Sequence, residues 1–159
     1  MARLKIYIDT SILSAYFDFR KPMRQLMTQK WFQNDLKSLS PFVSTLVLEE
    51  LNAHPDEAIK REMFDLIDRN AVEVLEINDT VIKIAAAYRK EAIPQEVNDS
   101  IHLSAATYYK LDAVVSWNFK HIVNLKTIKA IHDVNRAQGF APVEIITIEN
   151  LGGDKYGSL

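Results

Sequence analysis

Leu4-Lys5-Ile6-Tyr7-Ile8 is apolar apart from Lys5, and it gives way at once to Asp9-Thr10-Ser11. A short run of this kind, bounded by turn-forming polar residues, is the pattern of a buried strand. The polar triplet then falls just past the strand's carboxyl end. From Ile12 onward the apolar residues Ile12, Leu13, Tyr16 and Phe17 recur at helical spacing, so the strand leads into a helix.

The same alternation continues along the chain. Pro22 is a suitable first residue for a helix carrying Met23, Leu26, Met27, Trp31 and Phe32, an aromatic and Met-rich face expected in the core. Pro41 precedes a short strand, Phe42 to Ser44, and Thr45 to Ala53 continues as a helix bearing Glu49 and Glu50. His54-Pro55-Asp56 punctuates the chain before a helix with Ile59, Met63, Phe64 and Ile67. Val72 to Ile77 is the third expected strand, and Asn78 or Asp79 caps the helix carrying Val81, Ile84, Ala85 and Tyr88, which ends by Pro94. Asn98 and Asp99 open a further helix through Tyr109, and Ala113 to Ser116 is the fourth strand, with Trp117 and Asn118 just beyond it. A helix from Leu125 to Gln138 stops at Gly139, and Val143 to Ile148 supplies the last strand.

Strands alternating with helices predict an α/β fold, a mostly parallel sheet covered by helices on both faces. Ligands of such folds gather outside the carboxyl ends of the strands, where Asp9 and Asn118 are both expected. The length of 159 residues suits one domain, taken as residues 1–150, with 151–159 as a C-terminal tail. The composition, 48% hydrophobic and 25% charged, is that of an ordinary globular protein. With no cysteine in the chain, disulfide frameworks, thiolate zinc sites and cysteine nucleophiles are excluded. No secretion signal is read at the N-terminus, and no run approaches the roughly 18 apolar residues of a membrane span, so a cytoplasmic location without membrane attachment is expected. The net charge of −2 means that any nucleic-acid binding rests on a local basic patch.

Three acids stand where such a fold could assemble them. Asp9 follows the first strand, Glu50 lies in an otherwise apolar helix, and Asp99 begins another. Hard divalent cations bind through carboxylates and waters, and phosphodiester cleavage commonly uses them to activate water and offset charge on the phosphate. Each acid also has a plainer role: a helix cap for Asp9, a solvated surface acid for Glu50, and a cap or a partner of the helix dipole for Asp99. Thr10 and Ser11 offer hydroxyls to a phosphate or a metal-bound water. His102, three residues after Asp99, shares its helix face and can orient a carboxylate, bind phosphate or pack. Lys120 and His121 are candidates for the basic patch.

KIYIDTSIL, VSTLVLEEL, NDSIHLSAA and VVSWNFKHI follow one another in an order that resembles the PIN-domain family, and within it the VapC-type toxins of bacteria and archaea. The resemblance spans Leu4 to Ile148. It implies a three-layer α/β/α fold with a five-stranded parallel sheet, and an acidic pocket holding Mg²⁺ or Mn²⁺ for RNA cleavage. Asp9, Glu50 and Asp99 match the family's acids, Glu50 being preferred to Glu49 because the family's acid usually precedes Leu or Ile. Asn118 stands where many relatives carry a fourth acid, and it brings an oxygen without a charge. The partners implied are single-stranded RNA, an antitoxin protein and a second copy of the chain. A noncatalytic RNA-binding or partner-binding module on the same fold is the competing expectation. A small-molecule phosphohydrolase is less favoured, since the chain has no GxxxxGK[ST] loop and no second aspartate two residues after Asp9.

Overall fold

A computed structural model describes residues 2–91 and 95–151. Five parallel strands form one sheet in the order β3-β2-β1-β4-β5, where β1 is Lys5–Ile8, β2 Ser40–Ser44, β3 Glu73–Leu75, β4 Ala113–Val115 and β5 Glu144–Ile146. The chain therefore builds outward from β1 to one edge and returns to add β4 on the other side of β1. Tyr7 pairs with Phe42 on one side and Val114 on the other. Ile6, Tyr7 and Ile8 are fully buried, as are Val114 and Val115. Central strands covered on both faces need continuous apolar runs rather than alternation, and these are the runs found.

Helices α1 (Thr10–Tyr16), α2 (Pro22–Lys30), α3 (Thr45–Asn52), α4 (Glu57–Arg69), α5 (Asp79–Lys90), α6 (Val97–Tyr108), α7 (Leu125–Gln138) and the short α8 (Ile148–Leu151) connect and cover the strands. Local chemistry sets many of their ends. Asp56 accepts from the backbone N–H groups of Ala58 and Ile59 at the start of α4, Asn78 from Val81 at α5, and Asn124 from Thr127 at α7. Gly139 closes α7 at φ 75°, the left-handed conformation that glycine adopts without penalty. Three of these helices are tied by a buried polar knot: the Tyr88 hydroxyl of α5 lies 2.7 Å from Thr107 Oγ1 of α6 and donates to Asn135 Oδ1 of α7 at 2.6 Å.

The expected boundaries shift in several places. The third strand is shorter than Val72 to Ile77, because Val72 N–H turns back to the Ile67 carbonyl and the Tyr109 hydroxyl takes the Glu76 carbonyl. The last strand ends at Ile146, since Asn150 Oδ1 accepts from both the N–H and the hydroxyl of Thr147 and closes a turn into α8. The stretch after Lys30 widens into a π-turn over Trp31–Asp35. It buries Trp31 and Phe32 as expected but leaves Met23 69% exposed, so the Met-rich face is core at one end only. Helix α5 ends at Lys90, capped by Glu91, before Pro94 as expected; Pro94 itself and tail residues 152–159 lie outside the described residues, and Leu151, expected in that tail, closes α8. Among the described residues no helix is long and apolar enough to cross a membrane.

Candidate active site

Strand order reverses between β1 and β4, and the crevice outside the carboxyl ends of these two strands is where parallel sheets present ligand sites. Asp9 is the first residue past β1. It is only 4% exposed, and its side chain caps α1 by accepting from Ser11 N–H at 3.1 Å. The Ser11 hydroxyl donates to the same oxygen, while Ser116, just past β4, donates to the other at 2.7 Å. The capping role and placement beside the crevice thus coexist in one residue.

Glu50 lies near the end of α3, half-buried, while its neighbour Glu49 is exposed. Its Oε1 accepts from the Thr10 hydroxyl at 2.7 Å and lies 2.6 Å from His102 Nε2; Asn98 donates to its Oε2 at 3.4 Å. His102 is buried in α6, and its Nδ1 lies 2.6 Å from the Tyr7 hydroxyl, which also contacts Ser44 Oγ at 2.8 Å. A carboxylate only accepts, so Nε2 carries a hydrogen and donates to Glu50. Of the roles open to His102, it fills two: it packs in the core and orients a carboxylate.

Asp99 is the third residue of α6, which begins at Val97 rather than at Asn98 or Asp99. Among the described residues no side chain caps this helix, so the capping role does not apply to Asp99; its place in the first turn is the one that suits the helix dipole. Among the described residues its carboxylate makes no hydrogen bond and no ion pair. With Glu50, Asn98 and His121 it lines a pocket of about 540 Å³.

The electrostatics of the acids differ. Burial pushes the Asp9 carboxyl above its ordinary value, against the nearby His102 and the Ser11 and Ser116 donors, and Glu50's charge adds to the rise. Burial likewise raises Asp99, opposed by His102 and His121 and reinforced by Asp9 and Glu50. For Glu50 burial also pushes upward, but His102, Thr10 and Asn98 outweigh it and hold the carboxyl below its usual range. Asp9 and Asp99 are therefore more costly to ionise than in water, Asp9 partly through Glu50 and Asp99 partly through Asp9 and Glu50.

Asn118 follows β4 as expected. Its Oδ1 accepts from His121 N–H at 3.0 Å, and its N–H donates to Ser116 Oγ at 2.9 Å, so it shapes the turn and reaches Asp9 through Ser116. The neighbours Lys120 and His121 divide: His121 lines the acidic pocket, and Lys120 lines a separate groove with Arg24 and Phe119. Tyr7, Ser116 and Asn98 join the constellation without having been singled out in the sequence.

Among the described residues no three His, Asp or Glu side chains converge closely enough to enclose a metal ion. The donor chemistry nonetheless suits a hard cation. Glu50 and Asp99 bring carboxylate oxygens to the pocket, Asp99 is unengaged among the described residues, and Mg²⁺ binds through one or two carboxylates while keeping several waters.

Comparison with known proteins agrees with this architecture. The family model of the PIN domain matches residues 6–120. The VapBC2 structure of Rickettsia felis, bound to a DNA fragment from their promoter, aligns with a TM-score of 0.57 at 14% identity, over 89% of this chain and 98% of that one. A toxin–antitoxin complex from Klebsiella pneumoniae aligns at 0.56 and 16% identity, over 77% and 93%. VapC20 of Mycobacterium tuberculosis, a sarcin-ricin-loop-cleaving toxin, aligns at 0.59 and 14% identity, over 72% and 91%. No curated protein matches in sequence. With its family model spanning most of the chain and its five-stranded parallel sheet superposing on VapC toxin structures, this chain belongs to the PIN-domain family.

Proposed function

We propose that this chain is a metal-dependent endoribonuclease that hydrolyses RNA phosphodiester bonds, with Asp9, Glu50 and Asp99 holding Mg²⁺ or Mn²⁺. The observation that carries the reading is the pairing of Asp9 with Asp99. Burial makes both acids costly to ionise, the charge of Asp9 adds to the cost at Asp99, Asp9 stands at the strand-order reversal, and among the described residues Asp99 has no hydrogen-bond partner. Placing like charges at a crevice without neutralisation costs stability, and such sites are where proteins hold cations or run acid–base chemistry. When bound, the ion would supply a water acidified toward neutral pH and would offset charge building on the phosphate.

The protein's own residues have distinct tasks in this reading. Ser11 and Ser116 hold the Asp9 carboxylate in one rotamer. Thr10 and His102 hold Glu50 against α1 and α6. Asn118 and Ser11 position the scissile phosphate or its attacking water, and His121 faces phosphate from the far wall of the pocket. Lys120 draws the strand from its separate groove.

The relatives' names support a toxin role, in which an antitoxin protein masks the acidic pocket and the chain pairs with a second copy. The competing reading is a module that binds RNA or a partner without cutting, favoured by Asn118 in place of a fourth acid. Thermal melts separate the two. Mn²⁺ is expected to raise the Tm of the wild type and to lose that effect in Asp99→Asn. A wild-type Tm indifferent to Mn²⁺ and Mg²⁺, with RNA binding unchanged by chelator, would favour the module.

A further inference from the structure

A second groove of about 520 Å³ is lined by Lys120, the chain neighbour of the acidic pocket's His121, and its charge is the reverse of that pocket's. Lys21, Arg24 and Lys120 line it, and its one acid, Asp18, is already engaged by Arg20 at 2.9 Å. That hydrogen bond holds the Asp18 carboxyl below its usual range. Among the described residues neither Arg24 nor Lys120 has a carboxylate within ion-pair distance. The groove is thus locally basic on a chain whose net charge is −2.

Its aromatic content is unequal in exposure. Trp117 is buried and fixed by its indole N–H, which donates to Thr28 Oγ1 at 2.9 Å. Phe119 is 43% exposed, its ring centroid 6.1 Å from that of Trp117. The Arg24 guanidinium lies 5.3 Å from the Trp117 ring and 5.2 Å from the Phe119 ring, within cation–π range of both. A planar cation on aromatic surface, an exposed ring and flanking lysines are the elements with which proteins hold single-stranded nucleic acid. The cations take phosphate, and the rings stack bases.

The groove also reaches Asp9 through two short hydrogen-bonded paths. Ser11 Oγ donates to Asp9 and accepts from Trp117 N–H at 2.9 Å, and Asn118 N–H donates to Ser116 Oγ, which donates to Asp9. A strand lying in the groove would therefore run on toward the acids.

We propose that this groove is a nucleotide subsite for an unpaired residue flanking the scissile linkage. The base stacks on Phe119 beside the Arg24 guanidinium, and Lys21 and Lys120 hold the adjoining phosphates. The subsite's place relative to the cut rests on the nuclease reading above, but its binding does not. Paired bases are already stacked on their neighbours and cannot reach Phe119, so the subsite selects single strands.

The test is fluorescence anisotropy with a short labelled single-stranded RNA and a blunt duplex of the same sequence. It uses the full chain carrying Asp9→Asn, in chelator, with Phe119→Leu, Arg24→Met or Lys120→Ala added. Stacking on a single ring is worth about 1–3 kcal/mol, so Phe119→Leu is expected to weaken single-strand binding by roughly 5- to 150-fold. Duplex binding should be weaker from the start and indifferent to that change. Lys120→Ala is expected to flatten the salt dependence by about one counter-ion.

Unchanged single-strand affinity in both Phe119→Leu and Arg24→Met, with wild-type circular dichroism and Tm, would overturn the subsite. So would equal competition by polyglutamate, which would assign the groove to an acidic polypeptide. The two proposals fail separately. RNA cutting with Phe119-independent binding removes the subsite alone, and Phe119-dependent binding without cutting removes the nuclease alone.

Discussion

His102 Nε2 lies 2.6 Å from Glu50 Oε1, joining residues 52 positions apart in the chain through one charge-assisted hydrogen bond. The far side of the ring is held as firmly, with Nδ1 at 2.6 Å from the Tyr7 hydroxyl. Burial pushes the Tyr7 phenol well above its ordinary value, so it stays protonated and able to donate. With Tyr7 donating to Nδ1 and Nε2 donating to Glu50, the network runs in one direction: Ser44 to Tyr7, Tyr7 to Nδ1, and Nε2 to Glu50. Glu50 is held by an element of the core, and this makes His102 a positioning residue.

Replacing His102 by alanine leaves the Tyr7 hydroxyl with Ser44 as its partner and Glu50 with Thr10 and Asn98. Losing two buried hydrogen bonds costs about 1–3 kcal/mol, so Tm is expected to fall by roughly 2–12 °C. His102→Gln keeps a donor for Glu50 and should recover part of kcat. The measurement is kcat and KM for RNA cleavage beside the melts. If His102→Gln and His102→Ala lose kcat equally while both fold, His102 does not act by orienting Glu50.

Asp9→Asn should stabilise the metal-free protein. The folded-state pKa of Asp9 is raised, so the protonated form suits the site better than the charged one. Its contribution to stability is complete below the ordinary carboxylate range, near about pH 4, and is lost as pH rises through the raised value. At neutral pH the variant's Tm in chelator is expected to exceed that of wild type by roughly 2–4 °C, the scale of about 1 kcal/mol. The gap should close as the pH is lowered toward about 3. A variant less stable than wild type across the whole range would mean that the carboxylate is favourable in place.

Asn118→Asp supplies the fourth acid that the family resemblance implies at this position, and its oxygen can still accept from His121 N–H. The added charge should lower the Mn²⁺ or Mg²⁺ concentration needed for half-maximal cleavage by several-fold. Cleavage rate against metal concentration reads this directly. A metal requirement that stays the same or rises would show that position 118 lies outside the reach of the ion.

Much of this arrangement is legible in the chain because two strands announce themselves. Ile6 to Ile8 and Ala113 to Val115 are continuous apolar runs, as burial on both faces demands, and each is followed by the polar residues that line the crevice. Asp9 and Asn118 are found by that logic, and Ser116 was within its reach, being the polar residue that closes the fourth run. Tyr7 was not legible. It occupies mid-strand, where an aromatic needs no further explanation, and its partners Ser44 and His102 are 37 and 95 residues away. Arg24 is equally silent, because a charge on a helix is ordinary until tertiary packing sets Trp117 and Phe119 against it. The choice of Glu50 over Glu49 depended on a family pattern. Structurally it follows from the turn of α3, which leaves one acid in solvent and brings the other to Thr10 and His102.

The most direct test of the central claim is cleavage of an end-labelled, mixed-sequence single-stranded RNA by purified protein free of any antitoxin. Wild type is compared with Asp9→Asn and Asp99→Asn in Mg²⁺, Mn²⁺ or excess chelator. Internal cuts by wild type that require metal, and a loss of at least about 100-fold in each folded variant, are expected for charges that act on the reacting phosphate. Cutting that persists in chelator, or full turnover by folded Asp99→Asn, would contradict the assignment of these acids to a metal-dependent nuclease.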